Sequence, residues 1–331
     1  MLLFIVLPVI VFKGTYLYAI YGWIIASILT LVLAYFFKNI PFIGIRVEKS
    51  KLTIREILRY SVPLASASIA GIAIKAADEF YISRYFGPEV FGEFANGFIQ
   101  LPFVGMITGA TATVLMPVFS KIIYDKSNTD QLISLWQSAL HKSVIIIYPI
   151  VFFFIFFARE TITLLYSDIY TKSSQYFIVA MTINFFNVII FAPLILSMGK
   201  IKIYARLHLI FALCSWVGGY VVIILFDSPL AIAIFSAFLT ITIIFIAMGY
   251  VKSYLNVHFL ELFPIKRILI ISIHSICSVI LVRIITSYLL QAQSTLFVFI
   301  IAMLGYMFVM LITARFFGIN YKEIIMPLLK R

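Results

Sequence analysis

Leu207–Phe226 (LHLIFALCSWVGGYVVIILF) and Leu230–Tyr250 (LAIAIFSAFLTITIIFIAMGY) are two apolar runs set almost end to end, with Lys200, Lys202 and Arg206 ahead of the first and Lys252 after the second. Each is long enough to cross a hydrocarbon core of ~30 Å at ~1.5 Å per helical residue. No Lys or Arg stands between them. Such a pair enters a bilayer, turns and returns, leaving its basic ends on one side.

The same unit repeats outward in both directions. Further apolar runs are Leu2 to Phe12, Tyr16 to Phe37, Ile57 to Ile82, Phe91 to Phe119, Val144 to Tyr166, Tyr176 to Met198, Ile268 to Leu290 and Leu296 to Phe317. Of 25 Lys and Arg residues, nineteen fall in every second gap: Lys38 to Arg59, Lys121 to Lys142, Lys200 to Arg206, Lys252 to Arg267, and Arg315 to the end. The opposite gaps hold Lys13, Arg84, Arg159 and Lys172, while Lys75 and Arg283 stand inside apolar runs. Cytoplasmic loops carry the Lys/Arg excess, so both termini are expected in the cytoplasm with ten helices between them. Lipid-facing backbone must be satisfied internally, and the runs lack the alternation of barrel strands. The fold expected is an all-α polytopic membrane helix bundle.

These patterns exclude several classes. The net charge of +12 is confined to one membrane face, which orientation and anionic lipid headgroups explain better than nucleic acid. The longest gaps are too short to bury a core, so no soluble catalytic domain is expected. Cys214 and Cys277 sit mid-run without His or Cys at ligand spacing and read as small packing residues; neither metal, disulfide nor cofactor is implied. Leu2 to Phe12 lacks a basic leader and a cleavage site and reads as the tail of a helix whose beginning is missing.

Local signals place the joints. Thr53-Ile54-Arg55-Glu56 fits a capping box opening the third helix, and Phe86-Gly87-Pro88-Glu89 a tight turn at its far end. Leu132, Leu135, Trp136, Ala139 and Leu140 recur at helical spacing after Asn128 or Thr129 as cap. They predict a cytoplasmic extension of the fifth helix along the headgroups, with Trp136 as an interfacial anchor. Pro63, Pro102, Pro117, Pro149 and Pro193 mark kinks within spans.

Between Leu52 and Ser120 the order of signals is Arg59-Tyr60-Ser61-Val62-Pro63-Leu64, Ala77-Asp78-Glu79-Phe80-Tyr81-Ile82-Ser83-Arg84-Tyr85-Phe86-Gly87, Val90-Phe91-Gly92-Glu93-Phe94 and Leu115-Met116-Pro117-Val118-Phe119-Ser120. This resembles the Wzx-type polysaccharide flippases of the multidrug/oligosaccharidyl-lipid/polysaccharide exporter superfamily. The resemblance implies two lobes related by an axis along the membrane normal. If Leu52 opens the second lobe, residues 1–50 are the last helix pair of a first lobe with the inter-lobe loop. Residues 51–250 are then a six-helix second lobe, 251–331 two additional helices with a basic tail, and the first four helices are missing. The implied activity is translocation of an undecaprenyl-diphosphate-linked oligosaccharide across a bacterial cytoplasmic membrane, with polysaccharide polymerase machinery and a separately encoded first half as partners. A cation-coupled multidrug exporter, a membrane polymerase or glycosyltransferase, and an inactive remnant are the alternatives.

Moving a diphosphate and a glycan past hydrocarbon needs cations and hydrogen-bonding groups facing a cavity. Ser61, Ala65, Ser68, Ile72, Lys75 and Glu79 share one helical face. Lys75 and Glu79 make an i,i+4 pair with Asp78 beside them, suited to a diphosphate or to proton coupling, or else to an interfacial salt bridge. Arg283 lies ~6 Å from the centre of its run, on a partly polar stripe with Ser272, Ser275 and Thr286; it either lines a cavity or snorkels. Asn96 with Gln100, and Asn184 with Asn187, can bind sugar hydroxyls or join helices. His208 and His274 read as satisfied structural histidines. Arg159, Glu160 and Asp168 read as solvated loop charges.

Overall fold

A computed structural model describes residues 16–38, 40, 52–125, 129–290 and 293–321. The chain divides into two compact units between Ile54 and Arg55. Among the described residues there is no strand, and nine helical stretches are long and apolar enough to cross a membrane. The chain is therefore a multi-pass membrane protein. The expected span Leu2 to Phe12 lies outside the described residues, as do Asn128 and most of the loop after α1.

In the first unit α1 spans Tyr16–Phe37. Its hydroxyls are satisfied within the helix, Ser27 Oγ donating to the Trp23 carbonyl at 2.9 Å and Thr30 Oγ1 to that of Ala26 at 2.7 Å. At its end the Lys38 ammonium sits 3.9 Å from the centre of the Tyr35 ring.

The second unit opens with α2, Ile54–Gly97, which starts directly after Thr53 and is interrupted at Gly87 (φ 84°, ψ 175°). A positive φ suits glycine, and Pro88 has no N–H to continue the ladder, so the chain turns where the Gly-Pro step stands. Then follow α3 (Pro102–Tyr124), α4 (Thr129–Phe156), α5 (Ala158–Tyr166), α6 (Ser173–Asn187) and α7 (Phe191–Ser197). The long α8 (Ile201–Phe226) and α9 (Pro229–Leu255) come next, then α10 (Ile265–Leu289) and α11 (Thr295–Thr313). Between α8 and α9 the turn is made by Asp227 in the left-handed region (φ 42°) and by Ser228, whose Oγ accepts from the Ala231 amide at 3.4 Å.

Three apolar runs are not single helices. Phe91 to Phe119 breaks at residues 98–101, and Pro102 begins α3, where its missing N–H is one of the unpaired ones anyway; it is not a kink. Val144 to Tyr166 breaks at Phe157 (φ −112°, ψ 30°). Tyr176 to Met198 breaks at residues 188–190, so that Pro193 falls in the first turn of α7.

The amino-terminal part of α4 also departs from expectation. Leu132, Trp136 and Leu140 are each 2% exposed, so this amphipathic face is covered by protein rather than by headgroups. Trp136 is no interfacial anchor: its Nε1 donates to the Leu262 carbonyl at 2.8 Å, in the 3-10 turn Phe259–Leu262 that precedes α10. The apolar stripe reads identically whether lipid or a later segment of the same chain covers it. Cys214 and Cys277 are exposed on the bundle surface and are not interior packing residues.

α10 lies along α4, α9 along both α8 and α6, α3 against α7, and α11 against α10 and α5. Gly218 and Gly219 of α8 make room for the rings of Phe235 on α9 and Tyr81 on α2, the small-residue contact that lets membrane helices approach. Aromatic polar tips tie helices by reaching backbone carbonyls: Tyr81 Oη to Trp216 (2.6 Å), Trp216 Nε1 to Ala73 (3.1 Å), Tyr148 Oη to Phe185 (2.9 Å) and Tyr306 Oη to Pro149 (3.0 Å). With no water in the bilayer core, each such donor needs a protein acceptor.

Candidate functional site

Two clefts in the second unit adjoin, sharing the walls Gly71, Ile74 and Thr240, and together make up the groove. One cleft, of about 720 Å³, lies between α2, the segment 94–100, α6 and α9, and its polar lining is Lys75, Asp78, Glu79, Gln100, Ser236 and Thr240. The other, of about 440 Å³, lies between α2, α3, α8, α9 and the α6–α7 break. It presents Asn187, Thr108, Tyr204 and His208 among apolar residues.

Helix direction orders the groove. α2 climbs from Gly71 to Glu79, eight residues or ~12 Å at helical rise, while α9 descends alongside from Ser236 through Thr240 to Ile244. The 720 Å³ cleft is thus nearer the Gly87 turn, and the 440 Å³ cleft nearer the basic helix ends at Lys200 and Lys202.

The α6–α7 break belongs to the groove wall, since Asn187, Ile189 and Ile190 line it. Non-helical backbone at membrane depth is tolerated where it faces a cavity rather than lipid. Glycine supplies much of the remaining wall. A Cβ built on Gly71, Gly105 or Gly109 would meet no atom within 4 Å, so these residues widen the groove and do not bring helices together.

The expected site residues separate into two groups. Lys75, Asp78, Glu79, Gln100 and Asn187 line the groove. Lys75 and Glu79 pair at 3.5 Å with 79% and 45% of their side chains exposed, so the pair is open to a ligand and loosely held. Ser61, Ala65, Ser68 and Ile72, on the same stripe, are likewise exposed. Asp78 is held within the wall: it is 6% exposed, and Ser236 Oγ on α9, 5% exposed, donates to its Oδ2 at 2.5 Å.

The second group lies elsewhere. Asn184 is 1% exposed and its Nδ2 donates to the Ala180 carbonyl at 3.3 Å on its own helix. Asn187 contacts it at 3.5 Å, so Asn184 supports a groove residue without lining the groove. Asn96 does not line either cleft, and α2 ends at Gly97, so Asn96 and Gln100 share no helix face. Arg283 pairs with Glu160 of α5 at 2.5 Å and lies 4.9 Å from the centre of the Phe157 ring. Glu160 is thus no solvated loop charge: it sits in a helix, 16% exposed, with its buried Oε2 otherwise unpartnered.

The histidines also divide. His274 is fully buried between Thr313 Oγ1 (2.7 Å) and Tyr321 Oη (3.4 Å), a satisfied structural residue. His208 places Nδ1 3.0 Å from the Tyr204 carbonyl, to which it donates, and faces the groove. Sequence reasoning missed the groove roles of His208, Tyr204, Ser236, Thr240 and the glycine wall; the signal available was Pro193, which marks the broken helix. Among the described residues no cluster of His, Cys, Asp or Glu is suited to a metal.

A family model described as "Polysaccharide biosynthesis protein" matches residues 1–175 of the 331-residue chain. No curated protein matches the chain. Among solved structures, "Lipid II flippase MurJ, inward closed conformation" is similar with a TM-score of 0.60 at 19% identity, over 94% of this chain and 64% of that one. The chain therefore spans less than two thirds of that structure's length, and at this identity the likeness is one of fold. By the family match over more than half its length, the chain belongs to the polysaccharide biosynthesis protein family.

Proposed function

We propose that this chain carries one lobe and the final helices of a transporter, not an enzyme, that flips a lipid-linked substrate between leaflets. The finer reading is an undecaprenyl-diphosphate-linked oligosaccharide moved by alternating access across a bacterial cytoplasmic membrane. The observation that carries it is the pair of adjoining clefts that share Gly71, Ile74 and Thr240 and bring Lys75, Glu79, Gln100, Asn187 and His208 together within the apolar spans.

The chemistry suits such a cargo. Lys75 supplies a cation for the diphosphate, held only by an exposed pair with Glu79, so a phosphate can replace Glu79 at little expense. Gln100, Asn187, Thr240 and His208 offer donors and acceptors to sugar hydroxyls along the way. Beside the groove, α2 and α3 present Ile69, Ile72, Met106 and Val114, each about two thirds exposed or more, a surface on which a polyprenyl tail stays in lipid.

The division at residues 50 and 250, both termini in the cytoplasm, a separately encoded first half and hand-over to polymerase machinery belong to the same proposal. A cation-coupled multidrug exporter is the second reading, and the observation on its side is Asp78, an acid buried inside the membrane. Leaflet-specific labelling of lipid-linked glycan after deletion of the coding sequence separates the two. Accumulation on the cytoplasmic leaflet is expected; an unchanged distribution with increased drug sensitivity would replace the flippase by the exporter.

A further inference from the structure

At its basic end the second unit holds a separate polar cleft of about 540 Å³ between α4, α10 and the segment after α11, sharing no lining residue with the groove. Ser138, His141 and Lys142 of α4 face Arg267 of α10 across it, and among the described residues no acid lines it. A neighbouring hollow of about 520 Å³ shares Ser138 and Arg267 and adds Lys266, again with no acid among the described residues. Among the described residues neither Lys142 nor Arg267 has a carboxylate partner.

Three observations converge on an anion. Like charges held together repel one another, and positive-inside orientation requires basic residues on a face but not their collection around a cavity. The His141 ring lines the same cleft as Arg267 and Lys142. Its Nδ1 is shut off from solvent with no hydrogen-bond partner, a buried polar atom that calls for one.

Height selects the source of the anion. Lys142 and Arg267 stand immediately before the apolar runs beginning at Val144 and Ile268, which is the level of the lipid phosphates. Basic pockets between membrane helices on the cytoplasmic side suit anionic headgroups.

We propose that Ser138, His141, Lys142 and Arg267 form a binding site for the phosphate of an anionic phospholipid of the cytoplasmic leaflet, which clips α10 to α4 independently of the transport groove.

Native mass spectrometry of the purified, delipidated chain titrated with phosphatidylglycerol tests this. The Lys142→Gln/Arg267→Gln double variant should bind the first phosphatidylglycerol about tenfold more weakly or worse, at an unchanged thermal midpoint. Lys121→Gln/Lys252→Gln removes as much charge from the same face and should weaken binding by no more than about twofold. Equal losses in the two variants, or none in either, would overturn the site. Displacement of the lipid by millimolar inorganic phosphate would overturn the lipid assignment. Should the first variant lower the midpoint, Lys142→Arg/Arg267→Lys decides: restored binding supports the site, and binding still lost at a normal midpoint overturns it.

Discussion

Nη1 of Arg283 on α10 stands 2.5 Å from Oε1 of Glu160 on α5, so the charge nearest the middle of its membrane run is spent inside the protein and not on the groove. Phe157, at the break that separates α4 from α5, packs beneath the guanidinium at 4.9 Å. The pair fastens α10 to α5.

Arg283→Ala should therefore act on folding. It strands a carboxylate that is 16% exposed, and we expect a loss of about 1–3 kcal/mol, below the ~3–5 kcal/mol of a fully buried pair because Arg283 itself is 39% exposed. Arg283→Met/Glu160→Gln should recover most of it. Thermal unfolding in detergent and membrane abundance read the outcome. Export lost from an abundant, fully stable Arg283→Ala protein would return this residue to the transport path.

At Gly71, size should separate transport from stability. Gly71→Ala is expected to be tolerated, because its Cβ meets open space. Gly71→Trp should block the groove and abolish surface-polysaccharide display while the unfolding free energy stays within about 0.5 kcal/mol of wild type. Full display with the tryptophan in place would show that the cargo takes another path.

Ser236→Ala should cost about 1–3 kcal/mol, since it leaves the buried Asp78 carboxylate without its donor. Asp78→Asn keeps a hydrogen-bonding partner for Ser236 and should fold normally. With the carboxylate gone from the groove wall, glycan export measured in cells should fall at least about tenfold. An unaltered rate would leave Asp78 a purely structural link between α2 and α9.

Trp136→Phe should lower stability by about 1 kcal/mol through the lost bond to the Leu262 carbonyl, and Trp136→Ala by about 3–5 kcal/mol. Removing a headgroup-level anchor would scarcely move the midpoint.

The spans were legible because run length and Lys/Arg placement answer directly to bilayer thickness and orientation. Not every joint was: Phe157 sits in apolar sequence where only packing decides that a helix stops, and the break at residues 188–190 had only Pro193 downstream as its sign. The groove was half legible. Lys75, Glu79, Gln100 and Asn187 stood out as polar residues in greasy runs, but so did Asn184 and Arg283, which face away. Polarity in a membrane helix says that a partner exists and leaves open whether it is cargo, the helix itself or Glu160. Gly71, Gly105 and Gly109 gave no sign at all, because an empty volume has no residue type.

Those three glycines give the passage a bore of bare main chain. A methyl group added at any of the three meets no neighbour. On the proposed reading of the groove as the substrate path, substitution at these glycines would change which molecules fit while leaving the scaffold intact.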